Sequence, residues 1–474
     1  MSTPQQLTRY LAAPPAGYLV RPLARLQPVL AKQGKPNIDL AALAKVVAGV
    51  ARVEPVIAVE SPEHWGRIVA GLDDSFDAIL PVSITAYPTE VWNSHPAPLV
   101  KRGLPLVFWS IMQYDEPDFW RWSARDFLTS LGVGVHLVAN NANGLQLMRA
   151  LAMKRFLRTA RMVVFGEQNF PWNAPAAGHL VAGSVGTDIV VRPLADIRSR
   201  YDKFSDAVVD EIWAARRHRY RVKAAPADEL RTAVRAYLAI REILLEESAC
   251  GMGINCFGDL VTSGGRDVPC LAQTLLREDG YIASCDGDYL AMMSMAMVSF
   301  YLDLPCMMSN MYPISYVGAL SDHFGDPLSP PVDKHPRHTW KNLARLAHCG
   351  FVGVVSPEMD PSGKTDLYDW GGTYEIKRDG RGCGNGGELM AGQPITIVEL
   401  KFDGRTLLVG RGQVCETTRH DNMPHCEKTA LLRFDDLEGF VRNISREHTV
   451  IAYGDHVDAL CTLGQALGLD VKVF

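Results

Sequence analysis

The densest chemistry in the chain lies in residues 280–315, GYIASCDGDYLAMMSMAMVSFYLDLPCMMSNMYPIS. Two acids, Asp286 and Asp288, stand two residues apart between an apolar run that reads as a short strand (Tyr281 to Ser284) and an apolar run that reads as a buried helix (289–302). That junction puts both carboxylates at the C-terminal end of a strand, the edge where open α/β sheets bind ligands. The amides of a helix N-terminus keep a carboxylate ionised, which suits a hard divalent cation. The next strand, LPCMMS, ends at Asn310; if the two strands are neighbours, Asn310 lies beside Asp286 and the pocket is rich in oxygen. The competing reading is a plain helix N-cap. Two acids facing a second polar strand end weaken it without removing it.

Other candidates carry less. Met292, Met293, Met295 and Met297 suggest a soft ligand set, but methionine at such density is core filler. His448 opens a strand in ISREHTVIAYGD, and His348 precedes Cys349 in LAHCGF; each reads as structural or as a ligand. Cys415, His420, His425 and Cys426 lie close together, but their spacing fits no standard zinc site. There is no GxxxxGK[ST] loop and no G-x-S-x-G elbow, so neither a P-loop nucleotide enzyme nor a serine hydrolase is indicated.

The surrounding elements are those of parallel α/β layers, with strand-like runs alternating with helix-like ones. AILPVSI (78–84), LPLVFWSI (104–111), VGVHLVAN (133–140), RMVVFGE (near 160–166) and TDIVVRPL (187–194) read as strands, and residues 116–131 as helical. ADELRTAVRAYLAIREILLEE reads as an amphipathic helix capped by Asp228. Beyond about residue 320 we expect a helix at 339–347, a Gly-rich loop (GRGCGNGGELMAG), a hairpin turned at Asp403-Gly404, and a closing strand–helix–strand unit. The 474 residues exceed one hydrophobic core. The expectation is three domains: an N-terminal α/β domain (1–165), a second α/β domain carrying the acids (166–320) and a C-terminal β-rich domain (321–474).

The net charge of -5, with both signs interspersed, argues against nucleic acid and a membrane surface as partners. The ten cysteines form no CxxC pair, and several sit in apolar runs, as reduced structural thiols would. No secretory signal is visible at the N-terminus, and the most apolar stretch, from Tyr289 to Leu302, is too short to span a bilayer. The expected location is the cytoplasm.

The order of these features resembles the L-fucose/L-arabinose isomerase family. Asp286-Gly287-Asp288 falls on that family's E-x-D element, Asn310 on its second acid, and His448, in EHTVIAYGDHVDALCTLGQALGLDV, on the His of its closing unit. The resemblance implies two Rossmann-like parallel α/β domains plus a β-rich domain, as in L-fucose isomerase, and a homo-oligomer, trimeric or hexameric. It implies a divalent metal, Mn2+ foremost, held by Asp286, Asn310 and His448. It also implies aldose–ketose isomerisation, or a related epimerisation, of a small sugar through an enediol, with Asp286 and Asp288 as catalytic acids. Trp172, Asn173, His348 and Tyr87 are candidates to line the sugar pocket. The chain departs from the pattern at Asp286, one methylene shorter than Glu, and at Asn310, which cannot take a proton at neutral pH. Asp288, His348 or Glu416 would then supply the missing group. Otherwise the fold runs a lyase reaction, or only binds sugar.

Overall fold

Short apolar runs separated by helical stretches can bury both faces only when helices cover them, and such strands pair in parallel. The computed structural model describes residues 22–32, 35–84, 91, 95–109, 121–166, 181, 183–256, 267–316, 334–348, 357–369, 381–419 and 428–474. Described residues up to Leu157 make one compact unit and those from Arg158 onward another.

In the first unit, β1 (Ala24–Ala31), β2 (Ala51–Val53), β3 (Ile57–Val59), β4 (Ala78–Pro81), β5 (Leu106–Phe108) and β6 (Val135–Leu137) form one sheet with every pairing parallel. Val29, Ile79, Leu106 and Phe108 meet Trp65 and Val69 of the helix Pro62–Gly71 in its core.

The second unit opens with another parallel sheet: β7 (Arg161–Phe165), β8 (Asp188–Arg192), β9 (Gly251–Ile254) and β10 (Ile282–Ser284), in the order β8-β7-β9-β10. The helices α1 (Ala227–Glu246) and α2 (Cys270–Glu278) share its apolar core. Asp228 is not the cap of α1; Pro226 holds that position without a side-chain bond, and Asp228 lies in the first turn. There its charge still favours the helix N-terminus.

From β10 the chain enters α3 (Tyr289–Leu302), whose side chains are buried almost throughout. It leads into a separate, largely antiparallel sheet. That sheet comprises β11 (Met307–Pro313), β12 (Leu343–Ala347), β13 (Pro394–Leu400), β14 (Thr406–Arg419), β15 (Lys428–Phe434), β16 (His448–Tyr453) and β17 (Asp470–Val473). The order is β13-β16-β11-β12-β15-β14-β17, and β13 also pairs with β14, so the sheet curls back on itself. The parallel α/β layers and the separate β-rich sheet read from the sequence are both present. The hairpin at Asp403-Gly404 is present too, with Asp403 Oδ1 accepting from the amides of Arg405 and Thr406, both at 2.8 Å. A bulge between Val414 and Glu416 lets both halves of β14 keep their facing.

Three further sequence expectations give way. Residues 343–347 (LARLA) are the central strand β12 rather than part of a helix at 339–347. Leu and Ala favour helices in isolation, but pairing with β11 and β15 on both sides overrides that preference. The start of the Gly-rich tract, Arg381–Gly386, is a strand against Thr365–Asp369, where small residues allow close approach. Finally, β10 and β11 are not neighbours: β10 ends the parallel sheet, and β11 lies between β16 and β12.

Candidate metal centre

Four of the candidate side chains converge where α3 begins. Asp288 is the N-cap of α3: its Oδ1 accepts from the amides of Leu290 (2.9 Å) and Ala291 (2.8 Å). The plain-cap reading is therefore right for this oxygen, but Oδ2 does something else. It faces His448 Nδ1 at 2.9 Å and Arg446 Nε at 2.8 Å, all within fully buried surroundings. Arg446 in turn donates to Leu400 O (2.8 Å) and lies 3.7 Å from Glu399 Oε1, which accepts from the Ser445 amide at 2.8 Å. With Nδ1–H of His448 committed to Asp288, the lone pair of its neutral form sits on Nε2.

That Nε2 points at Asp286. Asp286 and Gly287 are both left-handed, with φ of 56° and 64°. The turn is pinned by Gly287 N to Ile254 O (2.9 Å) and Asp288 N to Cys285 O (3.2 Å). A non-glycine residue there is costly, least so for a short acid, and such conformations persist where the surroundings enforce them. The turn sends Asp286 Oδ2 to 3.3 Å from His348 Nε2 and 3.4 Å from His448 Nε2. Its Oδ1 accepts from Cys256 Sγ at 3.7 Å. One ligand atom from each of Asp286, His348 and His448 lies within 4.8 Å of the others. Ligands about 2.1 Å from a shared ion stand roughly 3.0–3.4 Å apart, the spacing of each imidazole from Asp286 here.

The electrostatics agree with a charged cluster. Burial works against Asp286, but the N–H groups of His348 and His448 outweigh it and hold the carboxyl well below the usual carboxylate range. Burial likewise opposes Asp288, whose carboxyl Arg446, His448 and the Ala291 amide keep lowered. Burial alone would lower the His448 imidazole, yet its bonds to Asp286 and Asp288 lift it to about 9. A cation in place of those protons satisfies the same carboxylate. The Cys256 thiol, hydrogen-bonded to Cys285, is pushed well above its ordinary range by that bond and by burial.

Asn310 reaches the site by a route other than the one expected. It sits in mid-strand on β11, directly opposite His448 on one side and Ala347, the residue before His348, on the other. Opposed residues share a sheet face. Its Nδ2 donates to Tyr312 Oη at 3.0 Å, and its buried Oδ1 has no hydrogen-bond partner among the described residues. An orphaned acceptor on the sheet face that carries His448 fits a fourth ligand, an oxygen, to a hard cation.

Thus Asp286, Asp288, His348 and His448 come together, with Asn310 on the same sheet face as His448. Glu416 shares that face three strands from Asn310 or its neighbours, roughly 15 Å away by strand spacing and out of reach of the centre. Trp172, Asn173 and Tyr87 lie outside the described residues, as do His420, His425 and Cys426. Arg446 and Glu399, which lock Asp288, had no signal in the sequence beyond their charge.

Residues 179–301 match the family model described as the L-arabinose isomerase central domain, a segment that carries Asp286 and Asp288. No curated protein matches the chain. Among the described residues, no helix is long and apolar enough to cross a membrane.

Proposed function

We propose that this chain is a divalent-metal-dependent sugar isomerase, interconverting an aldose and its ketose, or a closely related epimerase. The observation that carries the reading is the convergence of Asp286, His348 and His448 with Asp288 locked behind His448; the match to a sugar-isomerase domain supports it. Asp286, His348 and His448 would hold the ion, Mn2+ foremost, with Asn310 Oδ1 as a further donor. The bound ion would supply charge to two adjacent sugar oxygens and so stabilise the enediolate formed when a neighbouring carbon loses its proton.

The residues themselves divide the remaining work. Asp288 has both oxygens engaged, so its part is to orient His448 rather than to move a proton. Asp286 stays ionised, with Oδ2 facing both imidazoles and Oδ1 accepting from Cys256, and would carry the proton as well as hold the ion. One base on one face of an enediol suffices to carry a proton between neighbouring carbons. The same reading takes in the likeness to L-fucose isomerase, a trimeric or hexameric assembly in the cytoplasm, and a division at residues 1–165, 166–320 and 321–474. A second reading, a carbon–carbon or carbon–oxygen lyase on a sugar, is favoured by Asn310, which removes the second acid of a two-carboxylate shuttle.

Metal analysis before and after chelation, paired with deuterium uptake from heavy water at sugar C–H positions, tests both. We expect one ion per chain and metal-dependent exchange without loss of carbon skeleton. Exchange accompanied by fragmentation or dehydration would favour the lyase, and a protein that neither retains metal nor exchanges would overturn the isomerase.

A further inference from the structure

Arg345 lies on β12 with its side chain completely buried. It stands opposite Tyr312 of β11 and opposite Leu431 of β15, and Leu431 stands opposite Glu416 of β14. Tyr312 is two residues along β11 from Asn310, so Arg345 occupies the sheet face that carries Asn310 and His448. Strand geometry puts it roughly 8 Å from Asn310, about the length of an extended hexose acid. The same face holds the small apolar cluster of Tyr312, Ile314, Leu343, Ala347 and Leu431.

The guanidinium is only partly used. Nη1 donates to Thr429 Oγ1 at 2.9 Å, while Nε and Nη2 are buried with no hydrogen-bond partner among the described residues. Those two nitrogens form one edge of the guanidinium, and their N–H bonds run parallel, the fork that takes two oxygens of one carboxylate. The carboxylate that bears on Arg345 is Glu416, which is held 3.5 Å from Lys334 Nζ and forms no ion pair with Arg345 among the described residues. A buried charge without a counter-charge is costly to keep for structure alone.

We propose that Arg345 is a specificity residue that receives an oxyanion at the end of the sugar far from the Asp286–His348–His448 centre, so that the substrate is an acidic sugar. The site takes a carboxylate through both nitrogens of the fork, and a sulfonate or phosphate offers the same pair of oxygens. This inference rests on the isomerase reading only for the orientation of the sugar; the oxyanion contact itself stands or falls separately.

The test is binding of matched ligands to the Mn2+-loaded full chain by calorimetry: neutral hexoses, their uronic acids, their 6-phosphates and their 6-deoxy-6-sulfonates. We expect at least one acidic series to bind about tenfold to a hundredfold more tightly than its neutral counterpart, the yield of one or two charge-assisted bonds. The preferred series identifies the oxyanion. Arg345→Met should erase that preference while Mn2+ affinity and neutral-sugar binding stay as they were, and Arg345→Lys should restore only a small part. Without ligand, the Met variant should melt no lower than the parent, because it removes an unpaired buried charge at nearly constant volume. Equal binding of acidic and neutral sugars, a preference that survives Arg345→Met, or a lower melting temperature in the ligand-free variant would overturn the proposal. Failure to bind Mn2+ would instead count against the isomerase reading, and the acid preference and its loss would still be measurable.

Discussion

Arg446, in the bend just before β16, and Arg345, on β12, are two buried arginines of the β-rich region, and they differ in the acids around them. Arg446 has Asp288 at 2.8 Å, the Leu400 carbonyl at 2.8 Å and Glu399 at 3.7 Å. Arg345 has one hydroxyl at 2.9 Å. Burial pulls the Arg345 guanidinium down to about 10, and Glu416 offsets only part of that. The lesson is that burial of a cation does not by itself indicate its purpose; the acids around it do. An arginine enclosed by carboxylates holds a site in shape, and one left with an empty fork is placed to receive something.

Four changes test how far that contrast holds. The largest effect belongs to the centre that Arg446 supports. Asp286→Asn keeps a residue suited to the left-handed turn and removes the charge, and we expect Mn2+ affinity to fall by at least about a hundredfold with an unchanged circular dichroism spectrum. Undiminished affinity would leave Arg446 supporting nothing. Next, Arg446→Met strands Asp288 and should cost about 3–5 kcal/mol in urea unfolding, whereas Arg345→Met should leave stability unchanged or slightly raised. Equal losses would erase the distinction. In the same region Asp288→Asn should weaken metal binding about 10- to 100-fold through the orientation of His448.

Proton linkage sharpens the comparison further. With His448 lifted to about 9 in the metal-free protein, an incoming ion must displace its proton at neutral pH. Mn2+ affinity should therefore climb about tenfold per pH unit and level off near 9, as read by competition with a chelator of known pH dependence. A second linkage is expected at Glu399, which burial lifts to about 7 against the pull of Arg446. Its folded-state value lies above the unfolded one, so its protonated form favours folding. The contribution is complete below about pH 4.5 and is lost as pH rises through about 7. Glu399→Gln should flatten that slope, worth on the order of 2 kcal/mol, in unfolding curves taken across this range. A slope that persists in the variant would assign the linkage elsewhere.

Local patterns in the sequence exposed the strand–turn–helix that presents Asp286 and Asp288, because strand, turn and apolar helix follow one another within a few residues. They also exposed the hairpin at Asp403-Gly404, where turn chemistry is local. What they hid is the pairing of distant strands. His348 and His448 meet, with Asn310 opposite His448, because β16, β11 and β12 are antiparallel neighbours, and no periodicity in any one of them states its partner. Arg345 was concealed twice, first by LARLA reading as helix and then by the habit of placing charged residues at the surface. Arg446 and Glu399 were concealed by the same habit, and only the packing of α3 against β13 and β16 explains why they are inside.

The left-handed backbone at Asp286 has a consequence for descent as well as for chemistry. The resemblance to isomerases leads one to expect Glu at this position, and a single base change separates the two codons. At a φ of 56°, however, the longer acid meets a steeper backbone penalty, on the order of 1–2 kcal/mol for an ordinary side chain. The turn therefore acts as a filter on which acids a lineage can sample here. Placing Glu here would require loosening the bend that aims it, so the shorter arm and the tighter turn belong together.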